Sequence, residues 1–428
     1  MGEPETTGRQ DLRAWQVRTF ALLWTGYASY YLCRMNFSVA KPAISREFSQ
    51  WSDTKVGIII SAYQVLYAVG QFVNGQLAER LGARLMMTLA LLLASFANLM
   101  LAWSSTLEDP WPGMVFAWAI NGIAQSAGWP LVVKTMSDWV TSKRRGTVIG
   151  LISTCYQVGN VAAWLLAGWL AQEYGWRMAF VAPALFLIPM AITLGSLLRN
   201  RPEDAGFPPV RDDLSGLASG PLQRLKASEV LRQTLTNRVL WVLALGYFCM
   251  NAVRYAFMNW APDYMATFHG LAIRDSAFTA VALPLIGAVG AVLAGSISDT
   301  LFGRRRAPVC ALMLFGLAVV CVVFVYVPQG SVLAATALLG LAGFLIYGPD
   351  MLMSGAATVD VHPSAAAAAT GFTMCAGATG AIFSGVGVGW LKDAAHGQWT
   401  AVFFTLAGLA VLSALLMVFI WNARPKGD

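Results

Sequence analysis

Two arginines inside long apolar segments are the side chains of this chain best suited to bind a ligand. Arg34 lies in an apolar run near residues 16–44, and Arg254 lies in another near residues 238–265. A guanidinium stays charged at any physiological pH, and placing one in a membrane interior costs at least about 2.5 kcal/mol unless it faces a partner or a watery cavity. Two guanidiniums match a phosphoryl group, whose charge is about −1.5 to −2 and whose oxygens accept bidentate hydrogen bonds. We therefore predict that Arg34 and Arg254 bind an anion.

Asp350 is the one carboxylate that the apolar runs place well inside a segment, three residues after Tyr347. It is suited to pair with an arginine in one conformation, to bind an ammonium group of a zwitterionic ligand, or to take up a proton. Alternatively, it caps a helix broken at Pro349 or faces water at the cytoplasmic end. The sequence leaves these roles open.

The composition is that of a membrane protein. Of the 428 residues, 57% are hydrophobic and 12% are charged, and the mean hydropathy is +0.59. A soluble domain carries about 25% charged residues. The net charge of +7 does not indicate nucleic-acid binding, because the basic residues lie in short loops rather than along one face. No metal-ligand spacing and no nucleophile paired with a base is recognisable, so we predict neither an enzyme nor a cofactor nor a metal.

Twelve apolar runs are each long enough to cross a bilayer as a helix. They lie near residues 16–44, 55–80, 85–104, 111–136, 145–172, 176–198, 238–265, 275–299, 307–327, 331–357, 365–391 and 398–421. We predict an all-α membrane protein whose twelve helices form two pseudo-symmetric bundles of six. The predicted parts are a tail over 1–15, a first bundle over 16–198, a cytoplasmic linker over 199–237, a second bundle over 238–421 and a tail over 422–428.

An internal repeat supports the two bundles. Arg254 follows Arg34 by 220 residues, and the same offset relates Gly75 to Gly295. It also relates Gly128-Trp129-Pro130 to Gly348-Pro349-Asp350. Parallel six-helix copies place a ligand site at the membrane midplane, between the two halves.

The positive charges predict the orientation. With the N-terminus in the cytoplasm, 21 of the 29 Lys and Arg residues fall on the cytoplasmic side and six on the other side. Those six are Lys41, Arg46, Lys55, Arg177, Arg274 and Lys392. We therefore expect both termini to be cytoplasmic.

Two loop segments in register carry a family resemblance. Gly75-Gln-Leu-Ala-Glu79-Arg80-Leu-Gly82-Ala-Arg84 and Gly295-Ser-Ile-Ser-Asp299-Thr-Leu-Phe-Gly303-Arg304 resemble the loop signature of the major facilitator superfamily. The resemblance implies a gating role for Gly75, Glu79, Arg80, Arg84, Asp299 and Arg304. In particular, it implies that Glu79 and Asp299 form ion pairs on the cytoplasmic side in the outward-facing state.

A narrower resemblance covers nearly the whole chain. The sequence is similar to the bacterial organophosphate:phosphate antiporters, which include glycerol-3-phosphate and hexose-phosphate transporters and a hexose-phosphate sensor. The segments that carry it are Tyr30-Tyr31-Leu32-Cys33-Arg34-Met35-Asn36-Phe37, Gly128-Trp129-Pro130, Leu240-Trp241, Arg254-Tyr255, Trp260-Ala-Pro262, Ile346-Tyr347-Gly348-Pro349 and Ala368-Ala-Thr370-Gly371-Phe372. It implies that the arginines at positions 34 and 254 bind phosphate.

The same resemblance implies a set of cavity residues and some departures from the family. The matching cavity positions are Tyr67, Gln125, Trp129 and Tyr347. Tyr27 and Tyr31 lie near one face with Arg34 and are suited to bind phosphate oxygens or to order the guanidinium, and Tyr156 is a further candidate ligand residue. Glycerol-3-phosphate transporters often have lysine or histidine where this chain has Met35, Gln71 and Tyr156, and acidic residues where it has Asn259 and Pro284. Proton-coupled gating through a histidine of the site is therefore not expected.

The sequence thus predicts a bacterial inner-membrane antiporter that exchanges a small organophosphate, of the glycerol-3-phosphate or sugar-phosphate type, for inorganic phosphate by alternating access. One alternative is a sugar-phosphate sensor that signals to a membrane histidine kinase. Another is a transporter of a carboxylate or a phosphonate, since paired arginines bind anions generally.

Overall fold

The computed structural model describes residues 4–210, 232, 234–303, 305–356 and 366–422, and all of the regular structure in these ranges is helical. The α-helices are α1 (Pro4–Leu32), α2 (Asn36–Glu47), α3 (Asp53–Ser104), α4 (Pro110–Ser126), α5 (Gly128–Trp139), α6 (Ser142–Glu173), α7 (Met178–Leu197), α8 (Arg238–Thr267), α9 (Ile273–Ala280), α10 (Ala282–Thr300), α11 (Arg306–Val325), α12 (Val332–Met351), α13 (Ala366–Ala394) and α14 (Thr400–Phe419). A short 3-10 helix spans Pro202–Ala205, and a π-helical turn spans Leu352–Ala356.

Nine of the described helices are long and apolar enough to cross a membrane. They are Leu81–Ser104, Val148–Glu173, Met178–Leu197, Arg238–Thr267, Ile273–Thr300, Arg306–Val325, Val332–Ser354, Ala369–Ala394 and Thr400–Phe419. The prediction of an all-α membrane protein is thereby confirmed.

The helix predicted over residues 16–44 is interrupted at Arg34. Helix α1 ends at Leu32 and α2 begins at Asn36, so Arg34 lies in a break rather than inside a continuous helix. The backbone nitrogens of Arg34 and Met35 both bond to the Tyr31 carbonyl, which closes the last turn of α1. A break of this kind frees backbone carbonyls that need donors from other helices.

A bend divides α3 at Gly82, which adopts a φ of +75°. This left-handed conformation favours glycine, because a side chain would be strained there. The bend falls between the second and third of the predicted apolar runs, so these runs form one helix with a kink.

Close helix packing in the C-terminal half depends on small residues. A Cβ atom on Gly290 would overlap the Phe344 carbonyl, and one on Gly343 would overlap the Leu283 carbonyl. The backbones of α10 and α12 therefore approach each other directly, as membrane helices do where small residues face each other. This packing fixes the position of Tyr347 on α12.

The chain forms two compact units. One comprises the described parts of Met1–Asn36, Leu66–Ala163 and Arg177–Arg224, and the other comprises those of Phe37–Val65, Trp164–Trp176 and Leu225–Asp428. Arg34 belongs to the first unit and Arg254 to the second.

Candidate functional site

Arg34 lies among tyrosines of the first unit. Its side chain is largely buried, with 9% of the residue exposed, and its Cζ atom lies 4.7 Å from the ring centroid of Tyr67 and 5.3 Å from that of Tyr31. Tyrosine faces stabilise a guanidinium by cation–π attraction without neutralising its charge.

Buried amides hold the break that presents Arg34. Asn121 donates to the Cys33 carbonyl at 2.7 Å, and Asn98 donates to the same oxygen at 3.3 Å. Gln125 donates to the Tyr30 carbonyl at 3.0 Å. These bonds satisfy carbonyls that would otherwise be orphaned where the helix stops. The amide nitrogen of Gln125, a predicted ligand residue, is therefore used to support the arginine.

The remaining predicted residues of the first unit form one aromatic network. The Tyr27 ring lies 5.7 Å from that of Tyr31 and 5.6 Å from that of Trp129, and the Trp129 ring lies 6.2 Å from that of Tyr156. Gly128 makes room for this network, because a Cβ atom there would collide with the Tyr27 ring. The structure therefore brings Tyr27, Tyr31, Trp129 and Tyr156 together near Arg34.

Arg254 lies in a corresponding tyrosine environment in the second unit, but it is paired with a carboxylate. Its Nη1 atom donates to Oδ1 of Asp350 at 2.7 Å, and the two side chains are 17% and 16% exposed. The Arg254 Cζ atom lies 5.2 Å from the ring centroid of Tyr347 and 5.4 Å from that of Tyr255. Of the roles left open for Asp350, pairing with an arginine is the one that this conformation displays.

Tyr247 belongs to the site and was missed in the sequence. Its hydroxyl donates to Oδ1 of Asp350 at 3.0 Å. A signal was available, since Tyr247 follows Tyr27 by 220 residues, the offset that relates Arg254 to Arg34. Each half therefore carries an arginine and a tyrosine seven residues before it.

The predicted gating residues fall partly outside the described structure. Arg304 and the side chains of Gly75, Glu79 and Arg80 lie outside the described residues. Arg84 donates through Nε to the Gly195 carbonyl, and its backbone nitrogen bonds to Asn200. Asp299 pairs with Arg306 at 2.6 Å, so in this conformation it binds a neighbour on the adjoining helix α11.

A buried cluster of four charges is the largest feature that the sequence did not reveal. Nζ of Lys41 lies 3.0 Å from Asp53 and 2.9 Å from Asp263, and Nζ of Lys392 lies 3.0 Å from Asp53 and 3.1 Å from Asp263. Lys41 and Lys392, which the charge count assigns to the non-cytoplasmic side, are buried, since 0% and 4% of these residues are exposed. Two cations and two anions alternate, which leaves the cluster neutral overall.

Aromatic rings and a third carboxylate, that of Asp393, lie next to this cluster. The ammonium groups of Lys41 and Lys392 lie 4.0 and 5.2 Å from the ring centroid of Trp260. Asp393 accepts hydrogen bonds from the backbone nitrogens of Asp53 and Thr54, at the first turn of α3. A carboxylate at a helix N-terminus satisfies unpaired N–H groups and matches the helix dipole.

Comparisons with known proteins agree with the all-helical membrane architecture. The family model of the Major Facilitator Superfamily matches residues 23–385. The chain is 29% identical to the glycerol-3-phosphate transporter of Bacillus subtilis, over 96% of this chain and 94% of that protein. It is 30% identical to the membrane sensor protein UhpC of Salmonella typhimurium, over 96% and 93%, and 28% identical to a probable hexose phosphate transport protein of Chlamydia pneumoniae, over 99% and 95%.

Solved structures share the fold. A bacterial homologue of the human lysosomal transporter Spinster, in an inward-facing and unoccupied conformation, matches with a TM-score of 0.76 at 17% identity, over 95% of this chain and 96% of that one. A D-xylose-proton symporter matches with a TM-score of 0.63 at 17% identity, over 97% and 98%.

Proposed function

Because this chain belongs to the Major Facilitator Superfamily, we propose that it exchanges a small organophosphate for inorganic phosphate across a bacterial inner membrane. The observation that carries the proposal is the pair of largely buried arginines at equivalent positions of the repeat, each lying among tyrosines. The glycerol-3-phosphate and hexose phosphate transporters among the relatives support a phosphorylated substrate.

Arg34 and Arg254 each hydrogen-bond oxygens of the phosphoryl group. Tyr67 and Tyr31 orient the first guanidinium, and Tyr347 orients the second. A bound dianion offsets the charges of both guanidiniums, whereas in the empty site the carboxylate of Asp350 offsets that of Arg254. The bound anion therefore stabilises the closed state. Exchange of one phosphate compound for another is therefore favoured over transport in one direction.

The test is exchange of radiolabelled phosphate into phosphate-loaded proteoliposomes. Replacing either arginine by lysine in Arg34→Lys or Arg254→Lys keeps the charge but removes the planar, bidentate donor. We expect each variant to lose exchange by roughly tenfold to a hundredfold, the loss of one to two charge-assisted hydrogen bonds.

Arg274→Lys is the matched control, because Arg274 is exposed at the start of α9 and outside the proposed site. It should retain wild-type exchange. Wild-type exchange in both Arg34→Lys and Arg254→Lys would rule out the proposed role of the arginines.

A sensor is the second candidate, since the similarity to UhpC matches that to the transporters in extent. A sensor would bind sugar phosphate through the same arginines and signal to a membrane histidine kinase. Counterflow by the purified protein favours transport, and binding without flux favours sensing. A carboxylate or phosphonate substrate is distinguished by competition, because millimolar phosphate should inhibit only uptake through a phosphate site.

A further inference from the structure

The carboxylate of Asp350 is paired with the guanidinium of Arg254, which in the proposed function binds the phosphoryl group of the substrate. Its Oδ1 atom accepts hydrogen bonds from Arg254 and from Tyr247. No residue in the described ranges donates a hydrogen bond to the second carboxylate oxygen, Oδ2. The carboxylate group is therefore oriented and partly accessible, and its Oδ2 atom can accept a hydrogen bond from a ligand.

This carboxylate exists in one half of the chain only. The repeat places Pro130 at the position in the first half that Asp350 occupies in the second. The first half presents a guanidinium to the substrate, and the second half presents a guanidinium together with a carboxylate. Such a site is complementary to a ligand that carries both signs of charge.

We propose that Asp350 binds the ammonium group of a zwitterionic substrate, a phosphorylated amine, while the arginines bind its phosphoryl group. The inference rests on the proposed function and specifies its substrate class. Tyr247 donates a hydrogen bond to the carboxylate, and the rings of Tyr255 and Tyr347 lie 5.4 and 5.2 Å from the Cζ atom of Arg254, its ion-pair partner. Aromatic rings near a carboxylate form a common environment for ammonium groups.

If the Arg254–Asp350 ion pair is replaced by two ion pairs with the substrate, every charge keeps a partner. When the phosphoryl group takes Arg254, the carboxylate of Asp350 loses its counter-ion. With a substrate that has no cation, two negative groups would then lie side by side in a partly buried site, which is costly. An ammonium on the same substrate takes the place of the guanidinium at Asp350, and no charge remains alone.

The geometry also limits the substrate's size. Arg254 Nη1 and Asp350 Oδ1 are 2.7 Å apart, so the phosphoryl and ammonium groups that replace their contact must be close together. Hydrogen bonds of about 3 Å at each end leave room for a linker of roughly two or three carbons. 2-Aminoethyl phosphate meets this requirement, and ethyl phosphate is the same ligand without the ammonium.

The experiment compares the dissociation constants of these two ligands with the purified full-length protein by titration calorimetry. We expect the wild-type protein to bind 2-aminoethyl phosphate at least roughly tenfold more tightly, the size of one charge-assisted hydrogen bond. In Asp350→Asn and Asp350→Ser this preference should disappear, while ethyl phosphate binds as well as before or better because Arg254 has lost its internal competitor. Asp275→Asn, which removes an exposed carboxylate of the same half, should keep the preference.

Each other result decides against the proposal. Equal affinities in the wild-type protein, or a preference that survives in either neutral variant, would exclude the cation role of Asp350 and leave phosphate exchange intact. Loss of ethyl phosphate binding in both neutral variants would show that Asp350 positions Arg254 instead. Binding of neither ligand to the wild-type protein would overturn the proposed function as well.

Discussion

The two arginines occupy equivalent positions of the repeat, but their neighbours differ. Arg34 lies over the rings of Tyr67 and Tyr31, and Arg254 forms an ion pair with Asp350. Both arginines could be predicted, because a cation in an apolar run is conspicuous. The Arg254–Asp350 contact could not, since a spacing of 96 residues says nothing about distance in space. The repeat alone would have identified Tyr247.

His269 provides a test at the scale of one residue. It lies between the spans Arg238–Thr267 and Ile273–Thr300. The centroid of its ring lies 5.0 Å from the ring centroids of both Tyr264 and Phe268. Removal from water disfavours the imidazolium ion and lowers the pKa of His269 below its usual value. Above about pH 6.5 the residue is neutral in both folded and unfolded chains. Below that value the unfolded chain binds a proton at His269 more readily than the folded chain does. The free energy of unfolding should therefore decrease as the pH is lowered.

The measurement is the thermal unfolding midpoint in detergent between pH 7.5 and 5.5. The midpoint of the wild-type protein should fall more steeply on acidification than that of His269→Gln. His396→Gln removes an exposed histidine and should follow the wild type. Parallel curves for the wild type and His269→Gln would contradict the expectation.

Four different helices contribute the residues of the four-charge cluster. Lys41 lies on α2, Asp53 begins α3, Asp263 lies near the end of α8, and Lys392 lies near the end of α13. In the sequence, each is one charge near the edge of an apolar run, which is also the pattern of a loop charge. Only the tertiary packing brings the four together, so the cluster could not be predicted from the sequence.

Removing one member of the cluster should be strongly destabilising. Lys41→Met leaves Asp263 with Lys392 as its remaining partner, and an uncompensated buried charge costs about 3–5 kcal/mol. We expect a clear drop in the thermal unfolding midpoint. The double variant Lys41→Met with Asp263→Leu removes one charge of each sign and should recover part of that loss.

Lys55→Met is the control for this comparison, because Lys55 is an exposed lysine in the first turn of α3. Its midpoint should stay near that of the wild type. If Lys41→Met were as stable as Lys55→Met, the cluster would contribute nothing to the fold.

At the scale of the whole molecule, hydropathy and the repeat were sufficient to predict the fold class. The apolar runs predicted helices, and the 220-residue offset indicated two copies, which the family match and the solved structures support. The interruption at Arg34 could not be predicted in this way. It depends on the amides of Asn98, Asn121 and Gln125, which lie far away in the sequence.

Membrane orientation is a separate test of the whole chain. The stretch from Arg199 to Arg238 carries seven Lys or Arg residues, which predicts a cytoplasmic location. With a C-terminal tag, trypsin should produce tagged fragments cut in this stretch from inverted membrane vesicles but not from intact spheroplasts. Cleavage there in spheroplasts would reverse the predicted orientation.

The break at Arg34 also bears on how the chain enters the membrane during synthesis. Helix α1 ends at Leu32 and α2 begins at Asn36, so the first apolar run is divided between two helices with a charged residue in the break. An arginine near the middle of an apolar segment weakens that segment as an insertion signal. We therefore expect the first run to enter the lipid together with the helix that follows it rather than alone.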